Sequence, residues 1–170
     1  MNLDALFNIS YGLFVVSSKL DEKFNAQLAN TVFQITSNPS TIAISISKNN
    51  YTHEFIEISN VFTVSIISDK WTLMEIGKFG FRSGREINKF AECNYKIGKN
   101  GAPIILNKTV GYLECKIINS LDAGTHTVFL GEVTDADTIS DLNPMTYDYY
   151  HKVIKGKVPP NAPTYRATIN

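Results

Sequence analysis

The segment Thr41-Ile42-Ala43-Ile44-Ser45-Ile46-Ser47 alternates strictly between large apolar and small side chains. A period of two marks a strand whose two faces meet different surroundings. Ile42, Ile44 and Ile46 form the core face, and the small residues opposite let another surface or a flat ligand come close. Such a strand needs neighbours for its backbone donors and acceptors, and the chain supplies them. Leu13 to Ser17 is apolar and β-branched, and Val61 to Ile67 places Phe62, Val64 and Ile66 on one expected core face. Val110 to Ile118 sets Leu113, Cys115 and Ile117 opposite Tyr112, Glu114 and Lys116, and Thr127 to Thr134 adds a further strand.

Helical patterns are fewer and short. Asn49 or Asn50 is placed to cap a helix through His53, Glu54, Phe55 and Ile56, with Glu54 near its positive end. Ser68 or Asp69 is expected to cap a second, where Leu73 and Ile76, and Met74 and Lys78, sit at helical spacing. A third is expected after Pro144, with Met145, Tyr149 and Val153 on one face. The run Pro159-Pro160-Asn161-Ala162-Pro163 reads as an extended tail over residues 159–170, following one domain over residues 1–158. Many strands, few helices and no βαβ alternation give a mainly antiparallel β domain, for which a barrel removes exposed edges.

Several classes of function are disfavoured. Sixteen basic residues balance sixteen acidic ones, which argues against a nucleic-acid surface or a polybasic membrane patch. No run approaches the roughly 18 apolar residues of a membrane span, and the N-terminal segment has no basic region leading an apolar core. Cys93 and Cys115 form no CxxC pair, and His53, His126 and His151 have no metal-like spacing, so no metal site is expected. They read as buried free thiols in a reducing cytoplasm. Nucleotide-binding glycine motifs, a nucleophile elbow and HExxH are all missing.

Four polar segments remain. Asn25 to Thr36, followed by Pro39, sets amides and hydroxyls in an otherwise apolar strand-like stretch. It suits either a solvated edge strand or turn, or a planar heteroaromatic ligand that takes those hydrogen bonds. Ser47 to His53 joins a strand end to a helix start, where free N–H groups favour an anion and Lys48, Thr52 and His53 add donors. Around Ser83-Gly84-Arg85, Arg82 and Arg85 are suited to clamping a phosphate. Gly124 to Val133 carries His126 at the head of a strand, a position more often structural than catalytic.

In this order the segments resemble the flavin reductase domain-like family, the FMN-binding split barrels, over roughly Leu3 to Tyr165. The likeness rests on Asn25-Ala26, Gln34 to Thr36, Pro39, Thr41 to Ser47, Thr52 to Ile56, and Gly124 to Val133. Within the family the chain is most similar to the flavin domain of the high-molecular-weight rubredoxins of anaerobic bacteria. Ala5 to Leu13, Asn30 to Gln34, Pro144 to Tyr147 and Tyr149 to His151 carry that similarity.

The resemblance implies an FMN-binding split β-barrel with a few short peripheral helices, acting as a homodimer. It implies an NAD(P)H-dependent FMN oxidoreductase that passes electrons from NADH or NADPH through FMN to an acceptor such as rubredoxin. By position, Asn30, Thr31 and Gln34 would face the ring or ribityl chain. Ser47, Lys48, Asn49, Thr52 and His53 would surround the phosphate, joined by Arg85, and His126 would lie near the flavin or nicotinamide face as the catalytic candidate. Ala26 stands where many relatives carry glycine, and Leu28 replaces a common hydroxyl residue. Rival readings are an electron-transfer flavoprotein of the flavoredoxin kind, a pyridoxamine-phosphate-oxidase-like barrel and a non-enzymatic ligand-binding barrel.

Overall fold

The computed structural model describes residues 2–165. A 3-10 helix over Leu3–Asn8 leads into β1 (Phe14–Leu20), β2 (Lys23–Ala29), β3 (Val32–Ser37) and β4 (Ser40–Ser47). Then come α1 (Tyr51–Ser59), β5 (Val61–Ile67), α2 (Leu73–Gly80), β6 (Tyr95–Ile97) and β7 (Pro103–Ile105). β8 (Thr109–Asp122), β9 (His126–Thr138) and α3 (Tyr147–Lys152) complete the described elements.

Seven strands form one antiparallel sheet in the order β2-β1-β5-β8-β9-β4-β3, and β6 and β7 pair separately. The two outermost strands, β2 and β3, are consecutive in the chain and joined only by Asn30 and Thr31. A link this short spans about 10 Å even when fully extended. The sheet therefore curls until its two edges meet at one end. Among the described residues no ladder joins β2 to β3, so the curl keeps an open seam. This is a mainly β architecture with a few short helices, in keeping with a split barrel. The polar stretch Asn25 to Thr36, read as one strand, is two strands on opposite sides of that seam.

The alternation in β4 holds: Ile42, Ile44 and Ile46 enter the interior with Val16, Ile56, Phe62, Val64, Cys115 and Phe129. A second cluster packs α2 and α3 against the outer face of β1 and β2 through Val15, Ala26, Trp71, Ile76, Phe79 and Tyr150. In β5, Phe62 and Val64 face the interior, but Ile66 is only half-buried while Thr63 and Ser65 are fully buried. The small β6–β7 sheet covers that second face. The Thr63 hydroxyl donates to the Pro103 carbonyl at 2.6 Å, and the Ile105 amide donates to Ser65 Oγ at 3.0 Å. Both strand faces are thus inside, which erases a simple apolar alternation.

The cap of α2 is Thr72, not Ser68 or Asp69. Glu75 accepts from the Thr72 amide at 2.7 Å and the Glu75 amide donates back to Thr72 Oγ1 at 3.3 Å, a reciprocal capping box. Ser68 is bonded instead within the preceding turn, to Trp71 and Lys108. Thr146 caps α3, leaving Met145 and Val153 just outside it. Cys115 is buried, which pushes its thiol up to about 12, and Cys93 is half-buried; both are free. From Pro159 the chain makes tight turns, with amide bonds from Ala162 to Pro159 and from Tyr165 to Ala162, rather than the extended tail expected. Residues 166–170 lie outside the described residues. Among the described residues no helix is long and apolar enough to cross a membrane, and no cluster of acidic, His and Cys side chains could hold a metal ion.

Candidate ligand site

Beside the seam, β2, the start of α1, the loop after α2 and the C-terminal segment enclose a cavity of about 310 Å³. That volume falls at the lower end of small-molecule sites. Its apolar walls come from Leu13, Leu28, Phe79, Tyr147 and Tyr150. Its polar wall is β2 and the link that follows it, whose Asn25, Gln27 and Asn30 all reach the cavity. Asn25 Nδ2 donates to Thr52 Oγ1 at 3.0 Å, tying β2 to the first turn of α1. Asn30 Nδ2 donates to Thr164 Oγ1 at 3.1 Å, tying β2 to the C-terminal segment.

One end of the cavity is built for negative charge. Ser47, Asn49, Asn50, Tyr51 and Thr52 bring the N-terminus of α1 to its edge. Asn50 holds the N-cap position, yet its side chain makes no capping bond; its Oδ1 accepts instead from Asn161 Nδ2 at 3.0 Å. The first amides of α1 are therefore left without the side-chain oxygen that usually satisfies them. Arg82, Ser83 and Gly84 approach from the other side. Gly84 is required there, because a Cβ would collide with Asn25 Oδ1.

Lys89 adds a buried cation to the wall. It is 5% exposed, and its ammonium donates to the Ala26 carbonyl at 2.8 Å and the Phe79 carbonyl at 3.1 Å. Burial lowers its pKa to about 8. The carbonyl of Phe79 lies in the last turn of α2, where a cation complements the helix dipole.

Of the residues singled out from sequence, Asn30, Ser47, Asn49 and Thr52 line the cavity. Thr31 donates to the Asn30 side chain, and Gln34 lies on the exposed β3 with its amide on the Thr36 carbonyl. Lys48 pairs with Asp122 at 2.7 Å. His53 faces the barrel interior, 2.7 Å from Thr127 Oγ1, and desolvation lowers its pKa. Arg85 pairs with Glu54 and stacks 4.2 Å above the Tyr51 ring. His126 sits between Thr125 Oγ1 and the Asn161 carbonyl, at 2.9 and 3.2 Å. Because a carbonyl only accepts, Nε2 is the donor in the contact with Asn161.

Lys89 and the segment from Lys157 to Pro163 carry no local signal for the site, and Arg82 reads in sequence only as a companion of Arg85. The composition of β2 pointed to Gln27. Nothing local marked the C-terminal segment, which reaches the site only through tertiary contacts: Asn161 with Asn50 and His126, Thr164 with Asn30 and Tyr147, and the Lys157 carbonyl with the Tyr150 hydroxyl at 2.7 Å.

A curled sheet with an amide-bearing, partly aromatic cavity at its seam, ending on an uncapped helix, defines a ligand-binding β-barrel suited to a planar ring with an anionic tail. The chain belongs to the flavin reductase like domain family, whose model matches residues 6–156. It is 48% identical over 165 residues to a high molecular weight rubredoxin of Moorella thermoacetica, covering 97% of this chain and 72% of that protein. It is 41% identical to a ferric-chelate reductase (NAD(P)H) of Archaeoglobus fulgidus, covering 97% of this chain and 98% of the relative. An NADH:FAD oxidoreductase of Streptomyces globisporus shares the fold with a TM-score of 0.73 at 24% identity, over 84% of this chain and 78% of that one.

Proposed function

We propose that the protein is an FMN-binding NAD(P)H:flavin oxidoreductase, with its flavin seated in the cavity beside β2. One observation carries this reading: in a chain of this family, a cavity pairs ring-sized apolar walls with an open helix N-terminus and Arg82. The residues fit the group. Leu13, Leu28 and the aromatic side chains offer faces to a tricyclic ring, β2 offers amides to its polar edge, and the α1 amides with Arg82 and Ser83 offer donors to a phosphate. Asn30, Ser47, Asn49 and Thr52 belong to this seat in the proposal; Thr31 and Arg85 contact its lining residues Asn30 and Tyr51, whereas Gln34, Lys48 and His53 do not line it.

When bound, FMN would supply the redox chemistry that links a two-electron hydride donor, a reduced nicotinamide, to an electron acceptor. The chain's own residues position the rings and exclude water. His126 holds the C-terminal segment across the cavity through Asn161, an orienting role that needs no proton transfer. A rubredoxin-type carrier is the acceptor this proposal favours.

A homodimer is part of the same proposal. Phe33 and Ile35 on the edge strand β3 are 52% and 46% exposed, and Ile118 and Leu121 at the far end of β8 are 50% and 66% exposed. Exposed apolar side chains on an edge strand and on the far end of β8 favour burial against a second copy. Sedimentation at micromolar concentration tests it, and a monomer there would refute it.

The absorption spectrum after FMN loading, followed by stopped-flow mixing with NADH and NADPH, tests the activity. Oxidised-flavin bands that bleach rapidly are expected. Bound flavin that does not bleach would instead favour a carrier reduced by a protein donor, and failure to retain FMN would overturn the reading.

A further inference from the structure

Among the described residues, three buried side-chain atoms make no hydrogen bond: Ser17 Oγ, Asp69 Oδ1 and Gln27 Oε1. Ser17, on the same face of β1 as Val15, does not line the cavity, and Asp69 is ion-paired with Lys70 at 3.2 Å. Gln27 differs from both because it lines the ligand cavity. A sealed amide oxygen without a donor is costly, and native structures retain one where something else supplies the missing bond.

The setting sharpens this. Asn25 in β2 and Asn30 just after it, on either side of Gln27 in the chain, are fixed by bonds to Thr52 and Thr164 respectively. They are committed to building the wall. Gln27 alone among the three amides has neither end bonded to the protein. A half-turn about its last side-chain bond exchanges oxygen and nitrogen, so one side chain can present an acceptor or a donor without moving the backbone.

We infer that Gln27 is the residue that recognises the imide edge of the flavin ring, its Oε1 accepting from the ring N3–H. This rests on the flavin reading above and adds to it the atom of the ligand that is read. The edge in question runs carbonyl, N–H, carbonyl, and only its central atom donates. An amide free to turn its oxygen inward distinguishes that edge from a ring lacking the donor. Leu28, the next residue, is an apolar wall of the cavity and offers no acceptor.

The test uses the whole protein and two probes, FMN and N3-methyl-FMN, titrated by flavin fluorescence into wild type, Q27A and Q27M. Wild type should bind FMN about five-fold more tightly than the methylated flavin, the worth of one neutral hydrogen bond. Q27A should lose that preference, because FMN binding falls while the methylated flavin gains room. Q27M keeps the length of the side chain without the acceptor, so its FMN affinity should fall by the same factor. Q27A retaining the wild-type preference, or wild type binding both flavins equally, would overturn the role of Gln27 while leaving flavin binding intact. Wild type that takes up neither flavin would overturn the flavin reading itself.

Discussion

The side-chain amide of Asn161 donates to Asn50 Oδ1 at 3.0 Å, and Asn50 is the N-cap residue of α1. The C-terminal segment thereby occupies the oxygen that would otherwise turn inward to the helix amides. An Asn at the N-cap is worth about 1 kcal/mol when it makes its bond, so withholding it requires a reason. An anion at the same amides supplies one.

Removing Asn161 should therefore weaken binding of the phosphate more than of the ring. In N161A the Asn50 side chain is released to cap the amide of Thr52, and FMN must compete with it. The affinity for FMN is expected to fall about five-fold, with riboflavin changed by less than about two-fold. Restoration of FMN binding in N50A/N161A would show that the freed cap, not loss of the segment, is responsible. Equal losses for both flavins would contradict this account.

Two arginines three residues apart carry different expectations. Arg82 lines the cavity, whereas Arg85 is held over Tyr51 by Glu54. A charge-assisted bond to phosphate contributes roughly 1.5–3 kcal/mol, so R82Q should weaken FMN binding by at least about ten-fold. Surface pairs such as Arg85–Glu54 contribute up to about 1 kcal/mol, and R85Q should lower stability slightly with little change in affinity. Isothermal titration of both variants checks the order; a larger affinity loss in R85Q would make Arg85, not Arg82, the arginine that meets the phosphate.

The sheet was legible wherever one strand face meets the core and the other does not. Ile42, Ile44 and Ile46 announced β4, and the apolar runs announced β1, β5, β8 and β9. The seam was not legible, because Asn30 and Thr31 look like two more polar residues of a continuous strand. Only the pairing of β2 with β1 and of β3 with β4 shows that the chain changes sides there. The same reason explains the site. Ser47, Asn49 and Thr52 lie within one local strand-to-helix junction, which spacing alone reveals. Asn161 lies 111 residues from Asn50 and meets it only after folding. Arg82 and Arg85 are equivalent as sequence; the Tyr51 ring and Glu54 on α1 separate them.

Gly84 joins the loop after α2 to β2 and α1 at one point. A methyl group there collides with Asn25 Oδ1, and Asn25 also bonds Thr52. G84A should shift the loop outward, disturb both partners and cost about 1–3 kcal/mol. Chemical denaturation and FMN titration together should show lower stability and weaker binding. An unchanged midpoint would mean that the loop relaxes without strain.

Lys89 makes stability depend on pH in a direction opposite to a salt-bridged lysine. Burial lowers its pKa from 10.5 to about 8, so between these values the unfolded chain holds a proton that the folded chain has released. Stability from this group therefore rises as pH increases through that window, approaching about 3 kcal/mol once pH exceeds 10.5, and the penalty is fully present below pH 8. Cys115 works against it at high pH: its folded pKa is raised from 9.0 to about 12, so stability is lost as the unfolded thiol ionises. The raw pH profile mixes the two, and the difference between wild type and K89M isolates the lysine. K89M loses two bonds to carbonyls but also the burial of a charge, so its stability relative to wild type should be best near pH 7 and should worsen steadily from pH 8 to 10. Urea denaturation at half-unit intervals across that range measures it. A difference that stays flat would mean that the ammonium keeps an ordinary pKa and reaches solvent in the native state.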